Sequence, residues 1–269
     1  GNFTSSGTLL DTFSNSGVAT LSGTAAGIDA SGSTTIAAAG LTLSGQNVAN
    51  DTGGTAATAS FTLDGNLGGV GTFTNFGDSL GGLAQLTVNS GTTLNAVSLA
   101  NGENGYITNF GTITANLTQS LGANLTNYGG AVITGDLTLT GGTLTSYGDI
   151  VGAVDNAALL RLALAASVTG DYTSSGTTLI MFGGALFDGD VTQTGGSFTL
   201  SEAATITGDM TATGTLNGAY TLAVAGVLTL LDGADLGSGI GLDTATLVIG
   251  DGAGDAVVTT DNLVLDAPC

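Results

Sequence analysis

The sequence predicts an all-β fold, a right-handed parallel β-helix (β-solenoid) with coils of about 18–19 residues. Three observations predict it. One phrase recurs as Ile133-Thr-Gly-Asp-Leu-Thr138, Val168-Thr-Gly-Asp-Tyr-Thr173, Phe187-Asp-Gly-Asp-Val-Thr192 and Ile206-Thr-Gly-Asp-Met-Thr211, and its glycines (Gly135, Gly170, Gly189, Gly208) follow at spacings of 35, 19 and 19. Tyr147-Gly-Asp-Ile-Val-Gly152 fills the widest of these gaps, and Val224-Ala-Gly226 adds a step of 18. A second phrase, a polar residue followed by an aromatic and glycine, appears at Asn75-Phe-Gly77, Asn109-Phe-Gly111, Asn127-Tyr-Gly129 and Ser146-Tyr-Gly148, with glycine spacings of 34, 18 and 19. Finally, apolar residues alternate with Thr, Ser and Asn in short runs such as Leu137-Thr-Leu-Thr140 and Phe198-Thr-Leu200, the two-residue period of half-buried strands.

The chain divides into less regular coils over 1–74, regular repeats over 75–250, and a terminal coil and tail over 251–269. In the first part, Asn15-Ser-Gly17 carries a variant of the second phrase, as Asn89-Ser-Gly91 does later. Asn and Gly tolerate positive φ, so these phrases mark bends between strands. Three short strands and three bends fit one coil. Equivalent residues of successive coils then lie one above another, because each repeat packs on its neighbours. Ile133, Val168, Phe187 and Ile206 should share one buried column, and Leu137, Tyr172, Val191 and Met210 a second. Leu144, Phe198 and Leu216 belong to a third. A β-sandwich also uses glycine-rich turns, but it has no reason to keep a phrase at constant period.

Ala157-Ala-Leu-Leu-Arg-Leu-Ala-Leu-Ala-Ala166 is the most apolar run, and its composition suits a helix. The repeat register instead favours a strand with Leu160, Leu162 and Leu164 on one side. Nothing reaches the roughly 18 apolar residues that a membrane-crossing helix needs.

Composition narrows function further. The chain has 1 Lys or Arg (Arg161), no His, no Trp and 21 acidic residues, for a formal charge of -20. Nucleic acid and anionic membranes would be repelled. The 42% apolar content supports a core rather than disorder, and the 47 glycines lie between apolar runs as turns. Phosphoryl or acyl transfer lacks its usual lysine or Ser-His pair. Two carboxylates would suffice for glycoside hydrolysis, but sugar-stacking aromatics are scarce. The chain therefore reads as non-catalytic.

Val168-Thr-Gly-Asp-Tyr-Thr-Ser-Ser-Gly-Thr-Thr-Leu179 and Phe187-Asp-Gly-Asp-Val-Thr-Gln-Thr-Gly-Gly-Ser-Phe-Thr-Leu200 resemble repeat segments of bacterial autotransporter passengers and filamentous-haemagglutinin-type adhesins. The resemblance covers about Asn75 to Gly250. It implies a right-handed β-helix outside the cell, serving adhesion or aggregation or forming a stalk. The chain begins at Gly1 and shows neither a signal sequence nor an outer-membrane translocator barrel, so it reads as a processed or trimmed chain with an extracellular or cell-surface location.

Stacking would turn the repeated aspartates into a ladder of Asp171, Asp190 and Asp209, with Asp136 two coils earlier. Like charges at that spacing repel. Two arrangements relieve the repulsion. Calcium, which takes six to eight oxygens, could be held by Asp171, Asp188, Asp190 and Asp209 with turn carbonyls; alternatively, each Asp caps its own turn in solvent. No other cofactor is implied.

Threonines flank the same phrase at Thr138, Thr173, Thr192 and Thr211, and at Thr134, Thr169 and Thr207. Outward threonine ranks suit ice binding, although Thr is also an ordinary solvent-facing strand residue. Cys269 is the only thiol; it can form no internal disulfide, which leaves intermolecular pairing or simple exposure. Asn2, Asn50, Asn116 and Asn124 open glycosylation sequons. The expected partners are a second copy, end to end or side to side, or a host-cell or matrix ligand. The main reading is a structural or adhesive surface protein, with a self-assembling filament subunit as the alternative and ice binding as a lesser one.

Overall fold

A computed structural model describes residues 2–250 apart from Ser16, Gly53, Thr55 and Ser238, together with the strand backbone at 259–260. Cys269, Pro268, Asp255, Asp261 and Asp266 lie outside the described residues. Every regular element among the described residues is a β-strand, and the strand pairings are parallel. The chain is a β-solenoid, as the repeats predict. No helix is long and apolar enough to cross a membrane. Two compact units are distinguished, Gly1–Ala153 and Val154–Cys269.

In the second unit each coil carries three short strands, as in Tyr172–Ser174, Thr177–Ile180 and Ala185–Asp188, followed by Val191–Gln193, Ser197–Leu200 and Ala204–Ile206. The step between partners hardly varies there, from Val154↔Tyr172 through Val191↔Met210 to Leu216↔Leu236. The first unit is less uniform. Its steps are short at Asn2↔Val18 and much longer at Ser33↔Ser60 and Phe61↔Leu86. They become regular only from Thr93↔Thr112 onward, well after Asn75.

Within each unit the predicted residues stack in columns. Val168, Phe187, Ile206 and Val224 stack in the second unit, as Leu94, Ile113, Ile133 and Ile150 do in the first. A second column in the second unit holds Val154, Tyr172, Val191, Met210 and Leu228, and one in the first unit holds Leu99, Leu117 and Leu137. Phe198 and Leu216 stack, and Leu144 tops Leu86, Ile107 and Leu125. All these side chains are buried. Facing columns interlock through rings: Phe187 lies 5.2 Å from Tyr172 and 5.6 Å from Phe198.

The interior also contains polar ladders at the bends. Asn50 donates to Asn75 Oδ1 at 2.7 Å, and Asn75 to Asn101 Oδ1 at 2.9 Å. Asn109 donates to Asn127 Oδ1 at 2.8 Å, and Asn127 to Ser146 Oγ at 3.0 Å. Asn75 therefore stands in a different ladder from Asn109, Asn127 and Ser146, although all four carry the same phrase. The wide glycine spacing after Asn75-Phe-Gly77 does not mark two steps of one column. Asn89 is also out of line, because Val88 is the partner of Asn109. Its side chain instead donates to Asp64 Oδ1 at 2.6 Å.

The run 157–166 contains no helix. Leu159–Leu162 is a strand, with Leu160 and Leu162 buried. Leu164 and Ala165 then adopt φ of 56° and 59°, which turns the corner and leaves Leu164 56% exposed. The expected alternation stops there because left-handed residues do not continue a pleat.

Glycine has two different uses. Gly135, Gly170 and Gly189 combine φ of 126°, 126° and 159° with close stacking. Gly208 and Gly226 carry no such φ, yet a Cβ on Gly226 would lie 2.7 Å from Gly208 O. The Gly-Asp phrase thus repeats glycine because the backbones of successive coils approach too closely for a side chain. Gly152, rather than Gly148, completes the column, since its Cβ would strike Gly135 O.

Candidate functional surface: the aspartate and threonine ladders

The aspartates of the phrase stack as expected. Tyr172 N-H donates to Asp190 O at 2.8 Å and Val191 N-H to Asp209 O at 2.9 Å, which places Asp171, Asp190 and Asp209 one above another. The Asp190 and Asp209 carboxylates serve the coil that follows rather than their own turn. Asp190 Oδ1 accepts the N-H of Asp209 at 2.9 Å, and Asp209 Oδ1 accepts that of Val227 at 2.8 Å. In the first unit Asp136 Oδ1 accepts Ala153 N-H at 3.2 Å, and Asn116 does the same for Asp136 N-H at 3.2 Å.

Asp188 sits across Gly189 from this column, where its Oδ1 accepts the Thr207 hydroxyl at 2.8 Å. Of the expected calcium set, Asp171, Asp190 and Asp209 thus share one column and Asp188 lies beside it. Among the described residues no group of three or more His, Cys, Asp or Glu side chains is arranged to hold a metal ion. The coil-to-coil bonds explain why: the Asp190 and Asp209 carboxylates are turned toward backbone N-H groups of the neighbouring coil, and a cation needs several oxygens turned toward one another. Inter-coil hydrogen bonding, rather than capping of the local turn, occupies these side chains.

The expected threonine column also forms, as Thr173, Thr192, Thr211 and Thr229 above Asp155. Thr118 and Thr138 pair likewise in the first unit. Thr169 breaks its own rank, because its partner is Asp188.

A longer ladder, which sequence phrases did not reveal, runs up the first unit. Thr4, Thr20, Thr35, Thr62, Thr87, Thr108, Thr126 and Thr145 are successive partners in one parallel sheet. From Thr35 upward each has an inward neighbour on either side, as Phe61 and Leu63 flank Thr62, so the threonines point outward. Unequal steps, short from Thr20 to Thr35 and long from Thr35 to Thr62, hide this ladder from any search at constant period.

Two outward columns border the threonines. One holds Ser33, Ser60, Gln85, Tyr106, Asn124 and Thr143. The other follows from Asp64 through Asn89, Phe110, Tyr128 and Tyr147. Phe110 stacks on Tyr128 with ring centroids 4.3 Å apart, and Tyr128 on Tyr147 at 6.1 Å. Each ring covers its neighbour's face and leaves mainly edges to solvent, so these rings form a ladder and not a set of open sugar platforms.

Asp78 shapes the corner beside this face. Thr52 donates to its Oδ2 at 2.7 Å, and the Leu80 and Gly82 N-H groups donate to Oδ1 at 2.8 and 3.1 Å. The Thr52 hydroxyl and these amides hold its carboxyl below the ordinary range, against an opposing effect of desolvation. In the second unit, buried Tyr172 bonds through its hydroxyl to Thr178 and accepts Asn156 Nδ2 at 3.0 Å. Desolvation pushes that phenol above its ordinary value.

Of the sequons, Asn50 is fully buried and its amide is engaged by Asn75 and Gln85. Asn116 is exposed and Asn124 half-buried, and the Asn2 side chain lies outside the described residues. No family model, curated protein or solved structure matches the chain.

Proposed function

We propose that the chain is a non-catalytic, extracellular structural or adhesive β-solenoid, similar in use to an autotransporter passenger, whose outer ladders are its working surface. The observation that carries this reading is the division of labour between inside and outside. Interior polar side chains are tied into ladders between coils, and the phrase aspartates into coil-to-coil bonds. What remains for a partner is a regular outer surface, with one threonine rank that runs unbroken from Thr4 to Thr145. Solenoids offer such extended surfaces because every coil repeats its neighbour's geometry.

The test is binding of the purified chain to cells and to immobilised matrix polymers, together with electron microscopy with and without calcium. Saturable attachment by dispersed particles supports the adhesive reading. Ordered fibres support the filament subunit, and neither outcome in any condition removes both.

Ice binding is a second reading that a specific observation favours. The threonine rank of the first unit is uninterrupted by Asp, and strand pairing repeats its hydroxyls at about 4.8 Å. Thermal hysteresis measured on the purified chain decides it, and a melting-freezing gap no larger than that of a control protein eliminates it.

A further inference from the structure

We infer that the threonine face of the first unit is a self-association surface that pairs with the same face of a second copy. The inference rests on reading the outer ladders as the working surface, and it adds the partner and the position.

The argument begins with charge. A chain with a formal charge of -20 and a single strong cation repels its own copies over most of its surface. The threonine face is different. Across the Thr column and its two bordering columns, Asp64 is the only acidic residue among the described residues. Asp29, Asp51, Asp78, Glu103, Asp136 and Asp149 fall outside these three columns, Asp78 at the corner beside them. Two copies can therefore meet here without stacking like charges against each other.

Size is sufficient for a modest affinity. The eight-strand rank at about 4.8 Å per strand is roughly 34 Å long, but the bordering columns widen it to about 13 Å only from Ser33 and Asp64 upward, so a pair buries on the order of 700–800 Å². That is below the roughly 1,000 Å² of stable specific interfaces and suits a weak, reversible contact. Part of the face is apolar, since Phe110 and Tyr128 are 39% and 40% exposed. A two-fold pairing would set the same columns against each other, because an isologous contact uses one patch twice. Its centre lies near Thr62 and Thr87, at the middle of the rank.

Sedimentation equilibrium of the full chain at physiological salt tests this. The expected result is a reversible dimer with a Kd in the range of about 10–500 μM, tightening as salt screens the remaining repulsion. Asp64→Asn should tighten it severalfold by removing the one charge on the face. Thr87→Asp should weaken it at least tenfold, while Thr192→Asp, on the second unit, should leave it unchanged. Circular dichroism confirms that each variant folds, and Asp64→Asn gives a gain that misfolding cannot imitate. A chain that stays monomeric to about 1 mM, or one whose dimer ignores both Asp64→Asn and Thr87→Asp, overturns the inference. A monomer that still attaches to cells, or that shows thermal hysteresis, overturns it while leaving the broader reading of the surface intact.

Discussion

Asp209 stands directly on Asp190, donating its N-H to the lower carboxylate at 2.9 Å while its own carboxylate accepts the Val227 N-H at 2.8 Å. A column of like charges is thereby converted into a column of acceptors. The hydrogen bond and the charge have opposite effects on stability, and substitution separates them.

Asp209→Asn keeps an oxygen for Val227 and removes one charge from the ladder. The expected outcome is a Tm equal to or above that of the parent, most clearly at low salt, where repulsion is least screened. Asp209→Ala leaves the Val227 N-H without its side-chain acceptor and should lower Tm. Calcium in the millimolar range should change neither value, because these side chains do not converge. A calcium-dependent rise in Tm reversed by chelation would support the metal reading.

Much of the fold was legible in the sequence because stacking forces repetition wherever coils have equal length. The Val168, Phe187 and Ile206 column, and the Tyr172, Val191 and Met210 column, follow from the constant spacing of the Gly-Asp phrase. The same counting failed at Asn75, where the steps from Asn50 to Asn75 to Asn101 are longer and one phrase serves two ladders. It also missed the rank of threonines from Thr4 to Thr145. The run at 157–166 shows a different limit, since the left-handed corner at Leu164 and Ala165 carries neither Gly nor Asn to announce it. The site was less legible than the fold. The repeats locate the column that holds Asp190, but not whether its carboxylate turns to its own loop, to a cation or to the next coil.

Glycine at the phrase should be irreplaceable for a steric reason. A Cβ on Gly189 would strike Gly170 O, and its φ of 159° is at the edge of what other residues adopt. Gly189→Ala should therefore destabilise the second unit by about 1–3 kcal/mol, measured by chemical denaturation. Gly45 has a φ of 72° with open space around its Cβ position, so Gly45→Asn, which tolerates the left-handed region, should cost much less.

The polar ladders are unequal, and their ends should yield to apolar replacement. Gln119 is buried with Nε2 unpartnered, and its place in the next coil is taken by Leu139. Gln119→Leu should leave stability unchanged or raise it by up to about 1 kcal/mol, because it removes an unsatisfied group. Asn127 is the opposite case, donating to Ser146 and Asp149 and accepting from Asn109. Asn127→Leu should cost about 2–4 kcal/mol by orphaning several buried partners at once. Equal effects of the two substitutions would contradict this account.

Two groups set the pH limits of the fold locally. Asp78 has a folded pKa below its ordinary 3.8, so its contribution is present above that value and lost as pH falls through the folded one. Amide protection at Leu80 and Gly82 should then decline in strong acid before the cores do, and Asp78→Ala should abolish it at neutral pH. Tyr172 has the other sign, with a folded pKa above its ordinary 10.0 because burial disfavours the phenolate. Its contribution is intact below the ordinary value and falls as pH rises from there toward the folded one, since the unfolded chain releases this proton first.

Tyr172 also allows the interior network to be measured. Its hydroxyl joins Thr178 and Asn156 inside a column that is otherwise apolar, so Tyr172→Phe leaves the Thr178 hydroxyl buried with a partner missing. The expected loss is about 1–3 kcal/mol. Thr178→Val should cost a similar amount by orphaning the phenol. Combining them removes both polar ends together, so the double variant should lose clearly less than the sum, with a coupling energy of about 1 kcal/mol or more. Strict additivity in equilibrium unfolding would mean that the two hydroxyls do not depend on each other.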